Sequence, residues 1–505
     1  MRSCVNKDEL IVALTRDKAE YPQSAPFHPD EHYPEYPFGP NNLSCNENSA
    51  YRAVRNCLIQ LKLDEMNMGK SKWNPLGHLI NPGDTVVLKP NFVLDKHNGG
   101  GSIYSIITHP SIIRAVADFC WIALCGAGRL IVADTPLDEC DFDNLMKVTH
   151  LKEVSQFFDE QGKVKLDILD LRDFSAVPEK RLYAQHRKKL AGDPKGSIVV
   201  DLGNKSALFG KKSMFFGVDY NVAETRKNHH DSVHRYQISN TILSCDVLIS
   251  IPKLKVHKLV GATLNLKGMV GIATNKNYLV HYSEGSKRTG GDQFVNSKRV
   301  SDNLILGVRQ WLNRLLLGRH VPILEQFHSH LIHSKIIYAF YSILKRLGIA
   351  PKGEVDATNR GKWYGNDTCW RMVADLTRIV HYADEQGSLM PNIQRRLFSF
   401  VDGIIGGDYN GPLLPRARPE GFVACGHNMV AVDIACLCLI GFAPHKFPLY
   451  KYLIQDAEYD YKSFLESIVI QTDVAEMVRL LSCPEKNLGF EPHPNWKGHV
   501  EIDIE

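Results

Sequence analysis

The sequence predicts an α/β fold with a mostly parallel sheet and flanking helices, plus a helical insertion. Apolar, β-branched runs alternate with helix-like stretches at the spacing of strand–helix–strand units. Polar side chains follow directly after several of these runs. The chain is 44% hydrophobic and 23% charged, which is typical of a globular protein. Its 505 residues are more than one ordinary domain contains. This composition excludes global disorder, collagen-like repeats and a chain embedded mostly in a membrane.

Short apolar runs mark the strands. Strands are expected at residues 10–14, 85–88, 130–133, 166–171, 198–202, 247–251 and 398–401. A helix should begin near Pro110 with Thr108 as its N-cap, which makes the strands on either side of it a parallel pair. Further helices are expected around Asp375 and at about 428–440 and 445–455. A loop is expected at 275–300, and a glycine-rich turn at 402–412.

Two segments interrupt the α/β pattern. Residues 141–235 are interpreted as an insertion, because basic clusters break up the strands there. Residues 303–348 are helical and locally basic, which fits a helix pair packed on the body or in an oligomer interface, or one lying on an anionic membrane surface. We therefore expect an α/β core at 1–275 and 367–505, with a loop and helical insertion at 276–366.

Charge and cysteine content exclude several kinds of partner and cofactor. Lys and Arg number 60 against 56 Asp and Glu, so the net charge of +4 does not indicate nucleic acid. The twelve cysteines are scattered without a CxxC pair or a ferredoxin-type run, so an iron–sulfur cluster is not expected in this chain. The apolar stretch at 10–14 is too short for a signal peptide or a spanning helix. We therefore expect reduced thiols and a cytoplasmic protein.

Five groups of polar residues come directly after predicted strands or apolar runs. The groups are Lys89/Asn91, Asp134/Thr135, Lys253/Lys255/His257/Lys258, Asn265/Lys267 and Asp402/Asp408/Asn410. The carboxyl ends of parallel strands share one edge of a sheet, and ligands bind at that edge. The sequence therefore predicts that these groups converge on one site.

The group around residue 255 has the clearest chemistry. Its lysines could hold a carboxylate or phosphate, and one lysine desolvated among others becomes a base or a Schiff-base nucleophile. His257 could move a proton at neutral pH. The alternatives are a solvated basic loop and a histidine that merely bonds a backbone carbonyl.

Acidic residues point to a second kind of chemistry. Asp402, Asp408 and Asn410 supply oxygen ligands across the glycine-rich turn, which suits a divalent cation that bridges an anionic substrate. Such residues also bond their own backbone in turns, so both interpretations stay open. Asp433 lies in an apolar helix and needs a partner, either a lysine or a helix terminus.

A series of short motifs occurs in a fixed order between about 84 and 445. They are VVLKPN at 86–91, THP at 108–110, DTP at 134–136, PKLKVH at 252–257, LNLKG at 264–268, VDG at 401–403, NGP at 410–412 and AVD at 431–433. Together they resemble the DUF362 family, a domain of unknown function. Some members of that family carry a ferredoxin-like iron–sulfur segment, whose cysteine run this chain lacks. Residues 276–292 are similar to longer members found near polysaccharide-biosynthesis genes.

These observations lead us to expect an enzyme that acts on an anionic, sugar-like small molecule, phosphorylated or carboxylated, in glycan metabolism. Proton transfer of the epimerase or isomerase type uses the available groups most directly. Lys255 and His257 are the expected catalytic residues. The expected substrate-binding residues are Lys89, Asn91, Thr108, His109, Lys253, Lys258, Asn265 and Lys267. Asp402, Asp408 and Asn410 are expected to bind a divalent metal, and Asp134 and Asp433 are further site residues.

Two other functions stay open. The first is a redox or metal-dependent protein that works with a ferredoxin-like partner, as the resemblance implies. The second is a non-catalytic scaffold of a glycan assembly complex at the inner face of the membrane, which would make its contact through 303–348. An oligomer is compatible with each of these functions.

Overall fold

The computed structural model describes residues 7–176, 187–217, 221–295, 359–457, 459–482 and 486–503, together with Ile343. The described strands, in chain order, are β1 (Ile11–Arg16), β2 (Thr85–Pro90), β3 (Arg129–Asp134), β4 (Leu166–Asp170), β5 (Phe174–Ala176), β6 (Arg187–Lys189), β7 (Ser197–Asp201), β8 (Phe215–Phe216), β9 (His229–His230), β10 (Val233–Ser239), β11 (Val247–Ile251), β12 (Lys253–His257), β13 (Gly261–Thr263), β14 (Tyr282–Ser283), β15 (Arg396–Asp408), β16 (Arg416–Gly426) and β17 (Val469–Gln471).

The described helices connect and cover these strands. They are α1 (Ser49–Gln60), α2 (Pro110–Leu124), α3 (Phe142–Thr149), α4 (Leu151–Gln161), α5 (Val222–Asn228), α6 (Asn240–Leu243), α7 (Asn265–Gly268), α8 (Cys369–Tyr382), α9 (Met429–Ile440), α10 (Pro448–Asp456), α11 (Tyr461–Ser467) and α12 (Ala475–Ser482).

One large sheet organises the molecule. Its strand order is β17–β1–β16–β15–β11–β2–β3–β4, and β12 and β13 extend it beside β15. The strands β15, β11, β2, β3 and β4 are parallel neighbours, whereas β16 runs antiparallel to β15 and to β1. This confirms the predicted α/β fold with a mostly parallel sheet. The carboxyl ends of the five parallel strands therefore share one edge.

The sheet is buried on both faces, which explains the nearly continuous apolar runs in its strands. Successive side chains of β2 alternate between the two faces. Val86 and Leu88 pack in a core with α1 to α4, whereas Val87 packs in a second core with α8, α9 and α10. The sheet thus separates two hydrophobic cores, and polar groups gather where its parallel strands end.

The predicted elements differ from the structure in two places that affect the site. Helix α2 begins at Pro110 as expected, but His109 caps it by accepting a hydrogen bond from the Ser111 amide. Thr108 was wrongly predicted as the cap: its hydroxyl donates to the Ile251 carbonyl at 2.6 Å and accepts from the Asn91 amide at 2.9 Å. This hydroxyl joins the ends of β2 and β11 instead.

The predicted glycine-rich turn at 402–412 is the second difference. Residues up to Asp408 continue strand β15, because they pair along their length with β16. A Cβ at Gly403 would lie 2.6 Å from the Phe422 ring, and one at Gly407 would lie 2.6 Å from the Ser105 carbonyl oxygen. These glycines serve close packing within a strand rather than a turn.

The predicted insertion at 141–235 divides into two parts. Helices α3 and α4 and strand β4 belong to the main body, since β4 pairs in parallel with β3. Strands β7, β10 and β9 form a separate small sheet, and β5 pairs with β6 alone. The predicted helix pair at 303–348 lies outside the described residues, Ile343 excepted. Among the helices that are described, none combines the length and apolar character required to cross a membrane.

Candidate functional site

Strand β12 places three basic side chains on one face. Side chains alternate along a strand, so Lys253, Lys255 and His257 share one face while Leu254 and Val256 occupy the other. The two apolar residues lie in a hydrophobic core, and the three basic residues are buried as well. The alternative of a solvated basic loop is therefore wrong. The segment is therefore a strand whose basic side chains are buried in the protein interior.

Lys253 belongs to a closed network. Its ammonium lies 3.0 Å from a carboxylate oxygen of Asp402 and donates to the Tyr21 hydroxyl at 2.5 Å. Tyr21 in turn donates to Asp402 at 2.6 Å, and the His109 amide donates to Asp402 at 2.9 Å. The rings of Tyr21 and His109 stack with their centroids 3.9 Å apart. Lys253 and Asp402 therefore compensate each other and join the N-terminal segment to the sheet.

A second buried ion pair forms at the ends of β2 and β3. Lys89 donates to Asp134 at 2.8 Å, and Asp134 also accepts from the amides of Phe92 and Thr135 at 2.6 and 2.8 Å. A Cβ at Gly271 would lie 2.0 Å from an oxygen of Asp134, so only glycine fits against this pair. Two of the predicted polar groups thus meet directly.

Lys255 and Lys267 have no such compensation. Lys255 is fully buried, and its ammonium donates to the Ile106 carbonyl without an ion pair to any described residue. Burial, and then the charges of Lys267 and Lys253, lower the pKa of Lys255 well below its ordinary value. Lys267 is half-buried and makes neither a hydrogen bond nor an ion pair within the described part of the chain. Burial lowers the pKa of Lys267 too. Two adjacent lysines therefore lack a carboxylate partner among the described residues.

Lys276 and His281 add to the positive charge. Lys276 donates to the carbonyl and hydroxyl of Thr135, and burial lowers the pKa of Lys276 to about 7. Burial, followed by the charges of Lys267, Lys276 and Lys258, lowers the pKa of His281 to about 3. Because Coulomb effects weaken with distance, these residues lie in one neighbourhood.

His257 has a defined orientation. Its Nδ1 accepts a hydrogen bond from the Leu259 amide at 3.0 Å, so the neutral ring carries its proton on Nε2. Burial, and then the charge of Lys267, lowers the pKa of His257 well below its ordinary value. The neutral imidazole is therefore a hydrogen-bond donor at Nε2. We call Lys255, His257, Lys267, Lys276 and His281 the basic cluster.

Asp433 holds the segment that carries Lys267. Its carboxylate accepts from the amide and side chain of Asn265, both at 2.9 Å, and from the Leu266 amide at 3.1 Å. Asn265 also accepts a hydrogen bond from Ser399 at 2.8 Å. Burial raises the pKa of Asp433 to about 7. The partner that the sequence required for Asp433 is thus the start of helix α7.

The predicted metal ligands do not come together. Asp402 and Asp408 are six residues apart on β15, a distance of roughly 20 Å along a strand. Asp408 bonds Arg416 and Arg418 at 2.8 and 3.0 Å. Asn410 is exposed beyond the end of the strand. The described residues contain no group of three or more metal-binding side chains, and the expectation that these three share a cation is corrected.

Two other predicted residues lie beside the basic cluster. Asn91 is half-buried, and its side-chain oxygen is buried without a hydrogen-bond partner among the residues that the structure describes. Lys258 is half-buried next to His257, and its amide donates to the Gly411 carbonyl at 3.3 Å. The loop that contains Asn410 therefore lies against the end of β12.

The structure thus brings members of all five predicted groups into contact or close range, and leaves Asp408 apart. Sequence reasoning missed Tyr21, Lys276 and His281 as site residues. Tyr21 lies in an irregular segment far from the strands that it joins, and no local pattern marks it. Lys276 and His281 lie in the stretch similar to longer DUF362 members, which was the available signal.

The comparison with family models finds one match. Residues 191–438 match the family model described as domain of unknown function (DUF362). No curated protein matches the chain. The chain is similar to the crystal structure of a Thermotoga maritima protein, a structural genomics target. The two are 10% identical with a TM-score of 0.27, which is too low to indicate a shared fold. The alignment covers 76% of this chain and 58% of that one, so this chain spans less than two thirds of its length. The family match and the ordered motifs together show that this chain carries a DUF362 domain.

Proposed function

We propose that the protein binds an anionic small molecule at the basic cluster and catalyses a proton transfer on it. The observation that carries the proposal is the pair Lys255 and Lys267, two neighbouring basic side chains without a carboxylate partner among the described residues. Buried charges in proteins are normally paired, because an isolated one is costly to desolvate. An anionic ligand would supply the missing counter-charge.

The charge balance indicates the class of ligand. Asp134 compensates Lys89, and Asp402 compensates Lys253, so these lysines need no ligand. The ammonium groups that remain suit a phosphate or a carboxylate, which accept several charge-assisted hydrogen bonds. The similarity to family members near polysaccharide-biosynthesis genes supports a sugar-like molecule. A phosphorylated or carboxylated sugar is therefore the substrate class that we favour.

The protonation states support proton transfer near neutral pH. A catalytic base works best when its pKa is close to the working pH. Burial lowers the pKa of Lys276 to about 7 and that of Lys255 well below its ordinary value, so both amines can accept a proton. The Nε2 proton of His257 can be donated to an oxygen of the substrate. This role differs from the proton shuttle expected from the sequence.

The compartment that we favour is the cytoplasm. Ten of the described cysteines are free thiols, and most of these are buried. Reduced thiols are typical of proteins in a reducing compartment.

Replacing Lys267 by alanine should weaken binding of inorganic phosphate or a sugar phosphate by about tenfold to a hundredfold. The reason is the loss of a charge-assisted hydrogen bond, which is worth roughly 1.5–3 kcal/mol. Thermal shift titrations at constant ionic strength would measure the affinity. Lys462→Ala is the matched control, because the Lys462 side chain is 85% exposed. Equal affinities for the two variants would contradict the proposed site.

Replacing Lys255 by alanine should abolish the proton transfer while the fold is retained. The fold should survive because Lys255 makes no ion pair among the described residues, so its removal leaves no described carboxylate without its partner. The reaction can be followed by mass spectrometry as deuterium uptake from D₂O into a sugar acid or sugar phosphate that stabilises the wild-type chain. Circular dichroism would check the fold. Unchanged deuterium uptake in Lys255→Ala would remove Lys255 from the mechanism.

A further inference from the structure

We infer that Lys255 acts as a Schiff-base lysine, which forms a covalent imine with the carbonyl group of an anionic substrate such as a 2-oxo acid or an oxo-sugar phosphate. The inference rests on the proposed function, because it concerns the same basic cluster. It goes further by naming the reacting group of the substrate and the bond that the enzyme forms with it.

The contrast among three buried lysines is the first observation. Lys89, Lys253 and Lys255 are all at most 1% exposed. Asp134 lies 2.8 Å from the first and Asp402 lies 3.0 Å from the second, so each of these two lysines has a carboxylate as its counter-charge. Within the part of the chain that the structure describes, Lys255 has a backbone carbonyl as its sole hydrogen-bond partner. Without a carboxylate and beside other cations, its amine is the one that loses its proton and becomes a nucleophile.

The neighbours of Lys255 are the second observation. Thr263 lies directly opposite Lys255 in the antiparallel pair of β12 and β13, and directly opposite side chains share one face. The Thr263 hydroxyl is buried without a hydrogen-bond partner among the described residues. Such an orphaned group is costly unless a ligand satisfies it. It is placed to bond the oxygen of a carbonyl that Lys255 attacks.

The remaining groups of the cluster match the rest of such a substrate. His257 lies two residues from Lys255 on the same face, and its Nε2 proton is available to the carbonyl oxygen. Lys267 supplies an uncompensated ammonium for the carboxylate or phosphate. A nucleophile, two donors for oxygen and a cation for the anionic group thus come from adjacent elements.

The chemical step needs no further reactant. The neutral Lys255 nitrogen attacks the carbonyl carbon, a C–N bond forms, and the electron pair of the C=O double bond moves to oxygen. One nitrogen-bound proton passes to that oxygen and gives a carbinolamine. The C–O bond then breaks, and the oxygen leaves as water with the second nitrogen-bound proton, so that the C=N bond forms. A proton taken from solvent by the imine nitrogen gives an iminium ion, which acidifies the neighbouring C–H bond. That C–H bond is the one that the proposed proton transfer breaks.

Reductive trapping on the full-length wild-type chain tests the inference. Glyoxylate carries an aldehyde and a carboxylate, and cyanoborohydride would fix its imine as a carboxymethyl group on lysine. Peptide mass mapping should find at least tenfold higher occupancy on Lys255 than on the exposed Lys462. Glycolaldehyde, which lacks the carboxylate, should label Lys255 at least tenfold less. Glycolate, which lacks the aldehyde, should protect Lys255 from glyoxylate.

The outcomes separate this inference from the proposed function. Labelling confined to exposed lysines, in a chain that still binds phosphate, would overturn the imine and leave Lys255 as a base. Labelling of Lys255 without phosphate binding would support the imine and overturn the proposed anion-binding site at the basic cluster. Absence of both would overturn both. Lys255→Arg, which has no primary amine to form an imine, should lose the labelling on that peptide.

Discussion

Replacing Lys253 by methionine should lower the free energy of unfolding by about 3–5 kcal/mol, because it leaves the carboxylate of Asp402 buried without its cation. The two groups are 3.0 Å apart, and both side chains are fully buried. Tyr21 would keep its hydrogen bond to Asp402 but cannot supply a positive charge. Urea unfolding curves at constant pH would measure the loss from the midpoint and slope.

The matched variants identify the cause of that loss. The double variant Lys253→Met, Asp402→Leu removes both charges and should recover much of the stability, since a buried pair replaced by apolar residues is often neutral. Lys462→Met breaks an exposed pair with Glu466 and should change stability by less than about 1 kcal/mol. If Lys253→Met were as stable as Lys462→Met, the buried pair would not contribute to the free energy of unfolding as we predict.

Replacing Asp433 by alanine should cost several kcal/mol and should also weaken phosphate binding. Three donors from Asn265 and Leu266 would lose their acceptor, and each orphaned buried group costs about 1–3 kcal/mol. Because these donors hold the start of helix α7, the position of Lys267 would be lost with them. Urea unfolding and phosphate titration on the same variant would report the two effects. Retained stability would show that Asp433 does not anchor this segment.

Asp433 also predicts a pH dependence of stability. Burial raises its pKa from 3.8 to about 7, so the folded chain holds this proton more tightly than the unfolded chain does. The carboxyl group then contributes most below about pH 4, and its contribution is lost as the pH rises through about 7. The slope is at most about 1.4 kcal/mol per pH unit. Asp433→Asn keeps one oxygen acceptor without titrating, so its unfolding free energy should fall less than that of the wild type between pH 5 and 7.

The order of strands and helices followed from local patterns. The apolar runs of β2, β3 and β11 and the stripe of α2 are visible in the sequence, and parallel strands must share an edge. That rule correctly brought Lys89 to Asp134. The pattern of β12 was present too, because its lysines alternate with Leu254 and Val256. A solvated basic loop stayed open as the alternative because lysines are seldom buried.

The errors come from contacts between distant parts of the chain. Glycines at 403, 406 and 407 suggest a turn when only their neighbours are considered, but pairing with β16 keeps β15 extended and separates Asp402 from Asp408. A larger residue would not fit at these positions, because an aromatic ring or a backbone carbonyl approaches the glycine closely. Local composition does not reveal such approaches.

The sequence by itself determined the fold class, the resemblance to DUF362 and the positions of Lys255, His257 and Lys267 near the carboxyl edge of the sheet. Only the tertiary structure decided which of the lysines there are compensated. Asp402 comes to Lys253 from 149 positions away along the chain, with Tyr21 from the N-terminal segment, while no described carboxylate pairs with Lys255. Ion pairing depends on distances of a few ångströms between residues remote in sequence. For that reason the spacing of residues along the chain indicated where a reaction could occur, and the packing singled out Lys255 as the proposed reacting group.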